Sequence, residues 1–181
     1  MKKTIIFIDS GDTLIDESTE IRDSRGIVQT AELIPGAREL LETLHKEGYR
    51  IAMVADGYAE SFRNMYTCLE LNHCFEQRIY SSDVGEEKPS NKMFQLAMEA
   101  MGLTDADKAH ILMVGNNISR DILGANQFGI TSVLLDWTPR YSMTPCCEAE
   151  MPDYIIHQPT DLLELVCHLE EKENNPTLIQ R

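Results

Sequence analysis

Short apolar runs alternate along the chain with longer segments whose apolar residues recur every three or four positions. That alternation predicts a parallel sheet covered by helices on both faces: a strand buried on both sides reads as a continuous run, and a surface helix reads as a stripe. The runs place strands at residues 4–8, 50–55, around 77–80, 110–115, 131–135 and 154–156. Between them, Ala37, Leu40, Leu41 and Leu44 form a helical stripe before Gly48, a residue suited to a helix C-terminus. Phe62, Met65, Tyr66 and Leu69 mark a second helix. Met93, Phe94, Ala97, Met98 and Met101 mark another, which starts at Ser90 or Pro89 and ends before Gly102. These Met and aromatic stripes are read as core.

Two stretches break the rhythm. Residues 17–34 hold Ser24-Arg25-Gly26 between alternating segments and predict a small hairpin, placed as a flap would be, just after the first strand. Residues 137–152, punctuated by Pro139, Pro145 and Pro152, form a loop leaving the carboxyl end of the fifth strand. With neither an internal repeat nor a low-complexity linker, residues 1–171 are expected to be one domain and residues 172–181 a loose tail.

Composition narrows the functional classes. A chain of 181 residues, 43% hydrophobic and 25% charged, is that of a globular protein, and a domain near that size buries about 70% of its unfolded surface. Sixteen Lys+Arg against thirty Asp+Glu leave a net charge of −14, which would repel a phosphodiester backbone and argues against nucleic acid as a partner. The apolar start meets Asp9 too early for a secretory segment or a membrane span of roughly 20 residues, so no membrane partner is expected. Five cysteines without a CxxC pair fit neither a disulfide framework nor a zinc site, and a reducing cytoplasm is the expected location.

In open parallel sheets ligands bind beyond the carboxyl ends of the strands. There the chain carries Asp9-Ser10-Gly11-Asp12-Thr13-Leu14, Ala55-Asp56-Gly57, Lys88-Pro89 and Gly115-Asn116-Asn117-Ile118-Ser119-Arg120-Asp121. Singly, each has an ordinary structural reading: turn residues at 9–13, a helix N-cap at Asp56 or Asn117, a solvated Lys88, a first-turn acid at Asp121. Together they bring carboxylates, an amide and a lysine to one rim.

These segments resemble the haloacid dehalogenase superfamily of hydrolases, most of which are phosphatases. The resemblance runs from Asp9-x-x-x-Thr13-Leu14 through Pro35-Gly36, Asp56-Gly57, Gly85-Glu86-Glu87-Lys88-Pro89, Val114-Gly115-Asn116 and Asp121-Ile122-x-Gly124-Ala125 to Pro152-Asp153-Tyr154-Ile155. It implies a three-layer Rossmann-like α/β fold with Asp9 as nucleophile, transfer through an aspartyl-phosphate, and Lys88 steadying both nucleophile and transferred group. A carboxylate and a phosphate ester repel each other, so a hard divalent cation with oxygen ligands and a lysine charge would bring them together, and backbone N–H groups at the helix start near Asp56 would cradle the phosphate. The resemblance further implies phosphate contacts at Ala55, Asp56, Gly57 and Lys88, and Mg²⁺ held by Asp9, the Gly11 carbonyl, Asn116 and Asp121. The substrate would be a small phosphorylated compound or a phosphorylated macromolecule.

Three positions depart from that pattern. Gly11 stands where most such phosphatases have a second aspartate for acid/base work, a contribution of about 10²- to 10⁴-fold; Asp12 is the nearest substitute, although a turn acid is its simpler reading. Ala55 replaces a hydroxyl donor, whose loss could approach about 10²-fold if it acts like an oxyanion-hole donor. Asn116 replaces an aspartate and brings one less charge to the metal. The departures predict either a slow phosphatase or a catalytically impaired relative that binds phosphate, metal or a protein partner. A two-component receiver domain fits less well, because its phosphoacceptor would follow a middle strand. Residues 9–35 and 56–88 leave no room for a large cap, so the site is expected to be open, with a homo-oligomer as one means of covering it. Arg22 and Arg25 of the hairpin and Trp137, Arg140 and Tyr141 of the late loop are the neighbours placed to confer selectivity.

Overall fold

The computed structural model describes residues 4–174. In chain order the elements are β1 (Ile5–Ile8), β2 (Ile15–Arg22), β3 (Val28–Leu33), α1 (Ala37–Lys46), β4 (Arg50–Ala55), α2 (Ala59–Cys68) and β5 (Gln77–Tyr80). They continue with α3 (Ser81–Val84), α4 (Asn91–Ala100), β6 (Ile111–Gly115), α5 (Leu123–Phe128), β7 (Thr131–Leu135), β8 (Tyr154–Ile156) and α6 (Asp161–Asn174). Six strands pair in parallel in the order β5-β4-β1-β6-β7-β8. From β1 the chain first builds one side through β4 and β5, then returns to β6 on the other side, so the connections diverge at β1 and open a crevice beyond its carboxyl end.

Side chains of successive strand residues point to opposite faces and so divide the core in two. Ile6 and Ile8, Ile51 and Met53, and Leu112 and Val114 face α1, α2 and α6, where Leu40, Leu44, Phe62, Tyr66, Leu162 and Val166 cover them. Ile5 and Phe7, Ala52 and Val54, and Ile111 and Met113 face α4 and α5 through Met93, Phe94, Ala97, Met98 and Ala125. Continuous apolar runs are thus what a doubly covered sheet requires, and the fold is the three-layer Rossmann-like arrangement that the runs predict.

β2 and β3 form an antiparallel hairpin outside the main sheet. Its turn closes when Asp23 Oδ1 accepts the N–H groups of Arg25 (2.9 Å) and Ile27 (3.0 Å). The hairpin is laid on α2: Val28 N–H donates to Ser61 Oγ (3.0 Å), Asn64 Nδ2 donates to the Val28 carbonyl (3.0 Å), and Arg25 pairs with Glu60 at 2.8 Å. Arg25 is therefore turned to α2. The late loop is tied back as well, with Asn126 Nδ2 donating to the carbonyls of Ala149 (2.8 Å) and Met151 (2.9 Å).

At the C-terminus, α6 continues through Asn174, so residues 172–174 of the expected loose tail are helical, and the rest of that tail lies outside the described residues. Among the described residues no helix is long and apolar enough to cross a membrane. All five cysteines are unpaired.

Candidate active site

The carboxyl ends of β1, β4 and β6 meet around a small, polar-lined cleft of about 70 Å³. Asp9 follows β1 and is fixed by its own N–H, which donates to the Val114 carbonyl at 2.9 Å. Ser10 beside it exchanges a 2.9 Å hydrogen bond with the buried Tyr66 hydroxyl, so the turn is held from below. Lys88 Nζ, buried, donates to Asp9 Oδ1 and to the Val54 carbonyl, both at 2.8 Å, and lies 2.6 Å from Asp121 Oδ1. Asp121 enters the floor because position 115 has no side chain: a Cβ there would fall on Asp121 Oδ2 and lie 2.6 Å from Asp121 Cβ. That same Oδ2 accepts the Asn117 N–H at 3.0 Å.

Two carboxylates thus share one buried ammonium. Burial raises Asp9 above the usual carboxylate range, with Lys88 pulling it back down. Burial likewise raises Asp121, to about 7, against the opposing pull of Lys88. Burial alone would depress Lys88, but Asp121, Asp9 and Asp56 together hold it above its ordinary value and fully charged.

Asp12 lies elsewhere. It is fully buried in a left-handed turn conformation (φ 48°), accepts the Glu17 N–H at 3.1 Å and forms an ion pair with Arg140. It does not line the cleft; through the Glu17 N–H and Arg140 it links the base of the hairpin to the late loop instead. What reaches the cleft from the hairpin is Glu17, with Tyr141 from the late loop. Burial, then Asp12 and Glu20, raise Glu17 to about 7, with Arg140 opposing them at 3.7 Å and Asp9 adding a further upward push.

The expected phosphate cradle is also changed. Ala55 faces the core under α1 and α2 and lines no part of the cleft. α2 begins at Ala59, and its leading amides are already taken, with Gly57 N–H donating to Ser81 Oγ (2.9 Å) and Ala59 N–H to Ser82 Oγ (3.0 Å). Gly57 accordingly borders the neighbouring cleft under the hairpin. Asp56 lines both clefts, but its Oδ1 accepts the Lys88 N–H at 3.0 Å and its Oδ2 faces Arg120 at 3.3 Å, so it positions the two cations. Arg120 stands half exposed at the mouth, shared with Glu87 at 3.3 Å. Neither Glu17 nor Arg120 stands out in the sequence: Arg120 is one residue of the turn that follows β6, and nothing about Glu17 eight positions after Asp9 signals that it folds back over Gly11.

The lining charges test whether a divalent cation fits. Asp9, Glu17, Asp56 and Asp121 face Lys88 and Arg120, an excess of acid that would repel a phosphate dianion. On the floor, buried Asp121 Oδ1 is met by Lys88 at 2.6 Å, and Asn116, buried beside it, offers an amide oxygen. Among the described residues no three His, Cys, Asp or Glu side chains form a cage. Two carboxylates, an amide and the Gly11 carbonyl are instead the sparse oxygen set suited to Mg²⁺, which keeps several waters. The residues fit the ion.

Comparison with known proteins agrees with this geometry. A family model described as haloacid dehalogenase-like hydrolase matches residues 7–135. The glyceraldehyde 3-phosphate phosphatase of Pyrococcus furiosus is 32% identical over 141 residues, 78% of this chain and 55% of that one. The phosphoglycolate phosphatase of Mannheimia succiniciproducens is 27% identical over 164 residues, 87% of this chain and 70% of that one. The chain spans a little over half the length of the first relatives it matches, 57% and 55%. Among solved structures, a phosphatase from Thermococcus onnurineus superposes with a TM-score of 0.73 at 18% identity, covering 90% of this chain and 97% of that one. A magnesium-bound hydrolase from Bacillus subtilis gives 0.72 at 15% identity, covering 92% and 99%. With the fold, the order of its strand-end residues and a family match over more than two thirds of its length in agreement, this chain belongs to the haloacid dehalogenase-like hydrolases.

Proposed function

We propose that this chain is a Mg²⁺-dependent phosphomonoester hydrolase that carries the phosphoryl group on Asp9. The observation that supports it most is the buried Asp9–Lys88–Asp121 row at the carboxyl ends of β1 and β6, where one ammonium serves two carboxylates. Asp9 presents one oxygen to Lys88, and its other oxygen is the nucleophile. Lys88 keeps that carboxylate ionised and aims it, and Arg120 at the mouth draws in the phosphate. Bound by Asp9, the Gly11 carbonyl, Asn116 and Asp121, Mg²⁺ would offset the charge that develops on the transferred group. Asp56 keeps Lys88 and Arg120 in place from behind.

Small phosphorylated compounds are the substrates this reading favours, since the catalytic cleft is small and shares Gly11, Glu17 and Asp56 with a second cleft of about 200 Å³ under the hairpin. The relatives named as sugar-phosphate and glycolate-phosphate phosphatases point the same way. The domain would work as one unit over residues 1–171, without nucleic acid or membrane partners, and a second copy could shield the open rim.

Release of phosphate from acetyl phosphate and 4-nitrophenyl phosphate at saturating Mg²⁺ tests the reading in wild type, Asp9→Asn and Asp12→Asn. Turnover that needs both Mg²⁺ and Asp9 is expected. Wild-type rates no higher than those of Asp9→Asn on either substrate would overturn it, and would leave a binding protein derived from the hydrolase fold.

A further inference from the structure

Transfer to Asp9 leaves a proton problem that the Asp9–Lys88–Asp121 row does not solve. An alkoxide leaving group needs a proton, and the water that later cleaves the aspartyl-phosphate must lose one. Every other carboxylate of the cleft is engaged: Asp9 and Asp121 by Lys88, and Asp56 by the Lys88 N–H and Arg120. Glu17 is different. Its backbone N–H is fixed on Asp12, yet among the described residues its carboxylate meets no cation closer than Arg140 Nε at 3.7 Å, beyond hydrogen-bonding distance.

Its position is equally telling. A Cβ built on Gly11 would fall on Glu17 Oε1 and lie 2.9 Å from its carboxyl carbon. Gly11 therefore leaves a space two residues after the nucleophile, and the Glu17 carboxylate fills it from the hairpin. Glu17 also lines both the catalytic cleft beside Asp9 and the 200 Å³ cleft beneath the hairpin.

We propose that Glu17 is the general acid and base of this hydrolase, delivered from the hairpin into the space that Gly11 leaves open. In the first step the Asp9 oxygen bonds to phosphorus, the bond from phosphorus to the leaving oxygen breaks, and the Glu17 carboxylic acid gives its proton to that oxygen. In the second, a water oxygen attacks phosphorus, its proton passes to the Glu17 carboxylate, and the bond to Asp9 breaks, so both side chains end as they began. This role rests on the phosphatase reading of Asp9.

The two readings separate in one set of pre-steady-state assays on wild type, Asp9→Asn and Glu17→Gln with Mg²⁺. With 4-nitrophenyl phosphate, whose leaving group needs no proton, Glu17→Gln is expected to release one nitrophenolate per chain at close to the wild-type rate and then turn over about 10²- to 10³-fold more slowly, with phosphoryl-enzyme visible by intact mass. With glycerol 2-phosphate it is expected to show neither burst nor turnover. Steady-state rates within about threefold of wild type, or loss of the nitrophenolate burst together with turnover, would overturn the assignment of Glu17 alone. Absence of any Asp9-dependent turnover in wild type would bring down both. Gly11→Asp/Glu17→Ala gives an independent check: a carboxylate supplied from position 11 should recover at least tenfold over Glu17→Ala, and no gain would count against the placement.

Discussion

Glu17→Gln should stabilise the metal-free protein while it slows the reaction. In the folded chain burial holds the Glu17 carboxyl near 7, with Asp12 and Glu20 adding to the shift, against a value of 4.5 when exposed. That difference corresponds to about 3 kcal/mol at 1.36 kcal/mol per unit, and because 31% of the side chain is exposed a discounted figure of about 2 kcal/mol is appropriate. The sign follows from proton linkage. Between pH 4.5 and 7 the native state holds a proton that the unfolded chain releases, so stability falls as pH rises through that window and the full cost is carried above it. Glutamine carries no such cost. Urea unfolding in EDTA should therefore find the variant about 2 kcal/mol more stable at pH 8, or about 4–8 °C higher in Tm, with the gain shrinking toward zero near pH 4.5. A variant equal to or weaker than wild type at pH 8 would refute the claim that the carboxylate is held there at a cost.

Three further outcomes follow from the same site. Lys88→Met strands Asp9 and Asp121 without their cation, so urea titrations should show a loss of about 3–5 kcal/mol, partly restored by Mg²⁺; an unchanged midpoint would contradict the buried row. Gly115→Ala drives a Cβ into the Asp121 carboxylate and should cost about 1–3 kcal/mol in thermal melts while raising the Mg²⁺ concentration needed for half-maximal rate. Arg120→Ala removes a half-exposed cation from the mouth and should raise KM about tenfold with little change in kcat, a split read from initial rates over substrate concentration.

How much of this was legible depended on whether a signal was local. Strand runs such as 50–55 and 131–135 reappear as β4 and β7 at the same residues because burial on both faces leaves no polar alternative. The strand-end residues Asp9, Asn116 and Asp121 converge because a parallel sheet aligns its carboxyl ends, a property of topology that the order of elements already carries. Contacts made by side chains from distant segments are not legible from the residues themselves. Only the resemblance brings Lys88 to Asp9; from its neighbours it reads as a lysine before a proline, because its burial against two carboxylates is set by residues 79 and 33 positions away. Asp12 reads as a candidate acid only while Arg140, 128 positions on, is out of view. The amides before α2 read as a free phosphate cradle until the hydroxyls of Ser81 and Ser82 arrive to fill them.

Gly11 shows why a missing residue in a pattern is not the same as a missing group in a site. Read along the chain, the glycine removes a carboxylate two positions after the nucleophile. In space it does the opposite, because any side chain at position 11 would collide with the Glu17 carboxylate, so the absence of a Cβ is the condition for that carboxylate to enter. The hairpin supplies what this needs: Asp12 holds the Glu17 N–H, and Arg140 pairs with Asp12 so that the buried anchor is itself satisfied. Val28 and Asn64 fasten the far strand to α2 so that the near strand stays over the cleft. Glycine at 11, a buried aspartate at 12 and a glutamate at 17 thus form one local arrangement, in which the position that looks like a loss and the residue that fills its space lie six positions apart, across the turn into β2.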